Sequence, residues 1–174
     1  MHARDFAIVL ASLLLHGTTA SSQEKHEGYG EQVGHAYAYS RGPTAAARYC
    51  KHVFADLSGS IDSEVAEWQS RNAVAIREIN AHWDAHVGET SNARGVERVS
   101  YYDQVERQND QVIGSALRRA DEGAAGYSRA YCQALAKNML RDRRFDLEQE
   151  LSEQLRGLRS CNEGVYCLKA SVTK

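Results

Sequence analysis

The stretch CKHVFADLSGSIDSEVAEWQSRNAVAIREINAHW, residues 50–83, carries one continuous helical pattern of apolar side chains. Successive members are three or four residues apart, the spacing that puts side chains on one face of an α-helix. One asparagine interrupts an otherwise apolar set, whose members are Cys50, Phe54, Leu57, Ile61, Val65, Trp68, Asn72, Ile76, Ile79 and Trp83. The pattern predicts a single long helix that begins at Gly42-Pro43 and ends near Gly88.

A second pattern with the same spacing follows the polar segment after Gly88. It extends from about Val96 to Met139 and keeps its phase across Gly123 and Gly126. Two long helices joined by a short polar segment predict an antiparallel hairpin. The hairpin should turn near residues 88–93.

A shorter third helix is predicted over residues 147–158, where leucines recur at helical spacing. Asp146 precedes it as an N-cap and Gln149 stands three residues further on, as in a capping box. One proline in 174 residues also favours helix. The sequence therefore predicts an all-α, disulfide-linked helical bundle made of a long antiparallel hairpin and a shorter C-terminal helix.

The hairpin has a register that can be tested against individual residues. In an antiparallel pair, residues at the same height have a nearly constant sum of residue numbers, because both helices rise equally per residue. That condition places Asn72 beside Asn109 and Cys50 beside Cys132. We therefore predict a buried Asn72–Asn109 hydrogen-bonded pair and a Cys50–Cys132 disulfide.

The remaining cysteines, Cys161 and Cys167, are predicted to pair with each other near the C-terminus, although four cysteines allow three connectivities. The segment Ser58-Gly59-Ser60 lies at the height of Gly123, so both helices are weakened together. Either both kink there, or each splits in two and the hairpin folds into a shorter bundle. Because both patterns keep their phase, we favour a shared kink.

The N-terminal region divides into two parts. Residues 1–20 have an apolar run that is too short to span a bilayer and end in small residues, which is typical of a signal peptide. Residues 21–42 are rich in Gly, Ser and Tyr and are predicted to be a flexible arm. Residues 43–174 then form a single helical domain.

Composition restricts the compartment and the partners. All four cysteines follow the predicted signal peptide, and an even number indicates disulfides in an oxidising compartment. A net charge of −2 gives no general argument for binding nucleic acid. After residue 20 the sequence has no further apolar stretch of the kind that predicts a transmembrane segment. We therefore expect a soluble protein that is periplasmic or secreted.

The turn end of the hairpin is predicted to be an interaction surface. The third helix is too short to cover both arms and should pack at the disulfide end, which leaves the turn end two helices thick. Its apolar residues are Ile79, Trp83, Val87, Val96 and Val99. We expect a second copy, a partner protein or the N-terminal arm to bury them.

His82 and His86 are the candidate metal ligands, since histidines four residues apart share one face of a helix. Trp83 stands where the zinc-protease motif requires glutamate, and histidines in a last helical turn also complement the helix dipole. Apart from a transition metal at this pair, the sequence predicts no cofactor.

No catalytic motif is present, neither a Gly-x-Ser-x-Gly segment nor a glycine-rich phosphate loop. The sequence therefore predicts a non-enzymatic binding or interaction protein, such as an adaptor, an inhibitor or a chaperone-like factor. The alternative is a periplasmic metal-binding bundle that uses His82 and His86.

Overall fold

In the computed structural model of the chain, residues 29–95 and 97–160 are described, and these residues form helices and no strand. The predicted all-α helical bundle with a disulfide is confirmed. The helices are α1 (Tyr29–Val53), α2 (Ser58–Arg71), α3 (Ala73–Arg94), α4 (Arg98–Gly123), α5 (Tyr127–Leu135), α6 (Leu147–Glu150) and α7 (Ser152–Ser160). Short 3₁₀ turns span Ala55–Leu57, Met139–Arg141 and Arg143–Phe145.

The prediction of a flexible arm is wrong for residues 29–42, which belong to α1. Pro43, expected at the first helical position, lies inside this helix, where it cannot donate the usual backbone hydrogen bond. Burial stabilises the segment in spite of its glycines and its proline, because side chains at helical spacing enter the core. They are Val33, Ala36, Tyr37 and Ser40.

Several predictions concern residues outside the described ranges. They are the signal peptide at 1–20, the arm at 21–28, Val96 in the turn, and the pairing of Cys161 with Cys167.

The single long helix predicted from residue 43 to 88 is wrong, because the chain reverses direction after α1. Phe54 leaves helical geometry, with φ −129° and ψ 73°, and the 3₁₀ turn leads directly into α2. Lys51 Nζ then lies 2.6 Å from Asp62 Oδ1 across the turn. Helical periodicity identifies the buried face of each helix but does not detect a reversal of four residues between them.

Helix α4 runs parallel to α1, which excludes the predicted hairpin register. Tyr37 Oη lies 3.4 Å from Glu106 Oε1, and further toward the C-terminal end of both helices Arg48 Nη2 lies 2.7 Å from Asp110 Oδ1. The two helices therefore run in the same direction. Helix α4 meets α3 near the turn between them, where the Tyr101 ring centroid is 6.0 Å from that of Trp83. Helix α1 thus packs along α4 where the prediction placed the preceding arm of the hairpin.

The predicted shared kink is also wrong, and the alternative of helices that split into shorter ones is the one observed. Helix α4 ends at Gly123, and Gly126 adopts φ 82°, a left-handed conformation that favours glycine. Helix α5 then places Cys132 beside Cys50, with 5.4 Å between their Cα atoms. The Cys50–Cys132 disulfide is therefore confirmed, although the hairpin register that led to it is not.

The C-terminal helices begin as predicted but pack elsewhere. The Asp146 side chain accepts hydrogen bonds from the backbone N–H groups of Glu148 and Gln149, so the N-cap is confirmed. Instead of covering the disulfide end, α7 lies beside the first half of α1 and α3. There Arg159 Nη2 is 2.9 Å from Glu78 Oε2. The fold is a bundle in which α1, α2–α3, α4 and α6–α7 alternate in direction.

The predicted Asn72–Asn109 pair is wrong, because Asn72 serves the C-terminal helices instead. Its Oδ1 accepts a hydrogen bond of 2.8 Å from the Leu147 N–H, and its Nδ2 donates one of 3.0 Å to the Trp68 carbonyl. The Nδ2 atom of Asn109 is buried without a hydrogen-bond partner among the described residues. Asn72 therefore links the break between α2 and α3 to the start of α6.

We expect the double variant Cys50→Ala/Cys132→Ala to lose about 4 kcal/mol of unfolding free energy, because the bond closes a loop with a sequence separation of 82. Both sulfurs are fully buried, so alanine is preferable to serine at these positions. Urea denaturation without reductant measures the loss. A decrease below about 1 kcal/mol would show that the disulfide contributes little.

We expect Asn72→Leu to cost about 2–3 kcal/mol, because it leaves the buried Leu147 N–H without an acceptor. Asn109→Leu should cost less than about 1 kcal/mol, since its Nδ2 makes no hydrogen bond. The double variant should be additive to within about 0.5 kcal/mol in urea denaturation. A coupling energy well above that value would show that the two asparagines interact directly, as the hairpin register predicted.

Candidate functional site

The predicted interaction surface at the turn end is mostly inside the protein. Ile79 and Val87 are fully buried and Trp83 is 5% exposed, because α1 covers this face of α3. The rings of Tyr37 and Trp83 stack with centroids 4.5 Å apart. The prediction of an interaction surface is therefore wrong for these residues of α3, and of the three predicted covers the N-terminal segment is the one observed. Among the described members of the set, Val99 is exposed.

The candidate metal ligands His82 and His86 lie next to the first residue of α1. His82 Nδ1 is 3.0 Å from Tyr29 Oη, and the Tyr29 ring packs edge-on against both imidazoles. Burial lowers the pKa of His82, an effect that the nearby Glu78 carboxylate opposes. Within 29–95 and 97–160, no group of three or more His, Cys, Asp or Glu side chains is placed to hold a metal ion.

A groove of about 490 Å³ lies between α1 and the α2–α3 pair. Small side chains on both sides, including Ser40, Thr44, Ala73 and Ala81, leave this space open. The complete lining consists of Ser40, Arg41, Thr44, Trp68, Gln69, Ala73, Ile76, Arg77, Asn80, Ala81 and Asp84.

Arg41 is the best-positioned charged group of the groove. Its guanidinium carbon lies 4.8 Å from the centroid of the Tyr37 ring, and its Nη2 is 3.4 Å from Asn80 Oδ1. Its Nε atom is buried and makes no hydrogen bond, although Glu106 Oε1 is 3.4 Å away. The Arg41 guanidinium is thus held in place, and its Nε donor makes no hydrogen bond.

The α3 side of the groove presents polar groups on one helical face. Arg77, Asn80 and Asp84 follow each other at the spacing that aligns side chains along a helix, and the small Ala81 lies on the same face. Arg77 is exposed and forms no ion pair or hydrogen bond with another described residue. At the other end, Asp84 accepts a hydrogen bond from the Tyr102 hydroxyl; burial and Asp84 together raise the pKa of Tyr102.

The groove lining combines apolar, amide, hydroxyl and charged side chains. The lining residues of the described chain include no histidine, cysteine or glutamate. The Ser40 hydroxyl donates a hydrogen bond of 2.8 Å to the Tyr37 carbonyl, so no adjacent base activates it. Apolar surface with a few convergent polar side chains is typical of a ligand-binding site.

Sequence reasoning missed this groove for an identifiable reason. Ser40 and Arg41 fall in the segment predicted to be a flexible arm, so one side of the groove had no place in the predicted fold. Arg77, Asn80 and Asp84 do show a polar helical face in the sequence, but such faces are ordinary on solvent-exposed helices.

Comparison of the chain with protein-family models, with curated proteins and with solved structures finds no match. Among the described helices, none combines the length and the apolar character required to cross a bilayer.

We expect His82 to titrate below 6.5, because burial disfavours its protonated form. The neutral ring then contributes stability that is present above pH 6.5 and is lost as the pH falls through the folded-state pKa. NMR titration of the imidazole measures the pKa directly. Urea unfolding between pH 5 and pH 8 should show a smaller acid-dependent loss for His82→Gln than for wild type.

A His82 pKa above 6.5 in the folded protein would contradict this account of its burial. Equal acid-dependent losses in wild type and His82→Gln would assign the pH dependence to other groups.

Proposed function

We propose that the chain is an exported, non-enzymatic binding protein whose ligand occupies the groove between α1 and α2–α3. The groove itself is the observation that carries the proposal. Its volume of about 490 Å³ falls within the range of small-molecule sites, roughly 300–1,000 Å³. Partner binding through the turn end is not retained, because α1 buries most of that surface.

The distribution of side chains supports binding of a molecule with both apolar and polar parts. Ala73 and Ile76 supply apolar surface beside the almost fully buried Trp68, and two arginines supply positive charge. Sites of this kind gain affinity from the apolar contacts and selectivity from the few polar groups.

The groove is also built to keep its shape without a ligand. Both of its sides come from helices joined by a turn of four residues, and the disulfide fixes the end of α1 to α5. Binding to a pre-formed site costs less free energy, because fewer side chains and backbone segments become ordered when the ligand binds.

Export is supported by the sequence of residues 1–20 and by the disulfide, which persists in oxidising compartments. A compact, disulfide-linked helical protein of this kind suits capture of a ligand outside the cytoplasm. The non-enzymatic part of the proposal is supported by the groove's lining, which lacks a nucleophile next to a base.

The test uses isotope-labelled protein with its disulfide intact and three probes that share an eight-carbon chain: octanol, octanoate and octylamine. We expect at least one of them to shift the backbone amide signals of the groove residues, with saturation at millimolar or lower concentration. Ala81→Trp, which fills the groove, should abolish those shifts.

Ala85→Trp is the matched control, because Ala85 is exposed one helical turn further along α3 and does not line the groove. It should bind as wild type does. Failure of all three probes to shift the groove residues, or equal binding in the two tryptophan variants, would overturn the proposed function.

A further inference from the structure

We propose that the ligand of this groove is a small amphiphilic carboxylate, with its carboxylate between Arg41 and Arg77 and its apolar chain toward Trp68. The inference rests on the proposed function of the groove and adds the chemical class of its ligand. Three features carry it: two arginines in the groove lining, one of which has no partner among the described residues, apolar surface on one side of them, and a carboxylate on the other.

Both arginines lie near Asn80 in the groove lining. Arg41 Nη2 is 3.4 Å from Asn80 Oδ1, and Asn80 lies three residues after Arg77 on the same face of α3. Arg77 has no partner within the described chain, so its guanidinium can receive a ligand, whereas the buried Arg41 Nε lies 3.4 Å from Glu106 Oε1. Guanidinium groups present paired N–H donors that match the two oxygens of a carboxylate.

The acid near Arg41 is already shared with another arginine, whereas Arg77 has no acid in contact among the described residues. Glu106, the acid nearest Arg41, also pairs with Arg48, whose Nη2 lies 2.8 Å from Glu106 Oε2. One carboxylate therefore serves two arginines here, although Asp110 also contacts Arg48. Arg77 forms no ion pair with another described residue, so the carboxylate of a ligand can pair with it directly.

The apolar surface lies on one side of these donors. Ala73 and Ile76 precede Arg77 on α3, and Trp68 lies below them at the end of α2. The helical rise from Trp68 to Arg77 gives this side of the groove a length of about 13 Å. That length accommodates an extended chain lying along the helix with its charged end at Arg77.

Asp84 sets the direction in which the ligand lies. It occupies the end of the groove beyond Arg77 and Asn80, where Tyr102 donates to it. A carboxylate placed near Asp84 would meet a like charge, whereas the apolar side near Trp68 carries none. The favourable orientation therefore keeps the carboxylate at the arginines and the chain away from Asp84.

The test compares the same three eight-carbon probes by NMR titration at low salt. Octanoate should bind about tenfold more tightly than octanol, the difference that a charge-assisted hydrogen bond supplies. Arg77→Gln should reduce octanoate affinity to near that of octanol and leave octanol affinity unchanged. Added salt should weaken octanoate binding only, because Arg77 is exposed.

Arg107→Gln is the matched control, since Arg107 is an exposed arginine of α4 that does not line the groove. It should leave all three affinities unchanged. Equal groove affinities for octanoate and octanol, tighter binding of octylamine, or full octanoate affinity in Arg77→Gln would each overturn the carboxylate assignment while the binding function stands. Absence of groove binding by all three probes would overturn both.

Discussion

The burial of α1 among its neighbouring helices is the constraint on which the rest of the structure depends. Its Tyr37 ring stacks on Trp83 of α3, its Arg48 pairs with Asp110 of α4, and Gln32 approaches Gly157 of α7. Without α1, α3 would keep direct contacts with α4 near the turn and with α7, but it would lose the helix that covers its buried face. A helix that contains several glycines and one proline has weak intrinsic propensity, so its order comes from this packing.

Local signals in the sequence predicted local features, and they did so because their physics is local. The spacing of apolar residues identified which faces are buried, and Trp68, Trp83 and Tyr131 are in the core. The cap at Asp146 depends only on the next few residues and is present. The order of helices in space depends on long-range contacts, chiefly those of α1, and a segment taken for a flexible arm could not supply them.

The Cys50–Cys132 disulfide shows how a correct prediction can follow from a wrong arrangement. The hairpin register paired the two cysteines because of their residue numbers, but they meet because the end of α1 lies against α5. The same register paired Asn72 with Asn109, and there it failed. A buried amide finds its partners among all nearby backbone groups, and Asn72 found the Leu147 N–H and the Trp68 carbonyl instead.

The candidate site follows from the same two features, the position of α1 and the break at Asn72. Trp68 borders the groove, and its indole Nε1 donates a hydrogen bond of 2.7 Å to the Phe145 carbonyl, just before α6. Asn72, four residues later, bonds to Leu147 at the start of α6. The apolar side of the groove is therefore fixed by the docking of the C-terminal helices as well as by α1. A change that loosens either contact would alter the shape of the groove before it altered the global fold, because the disulfide and the rest of the α1 core remain intact.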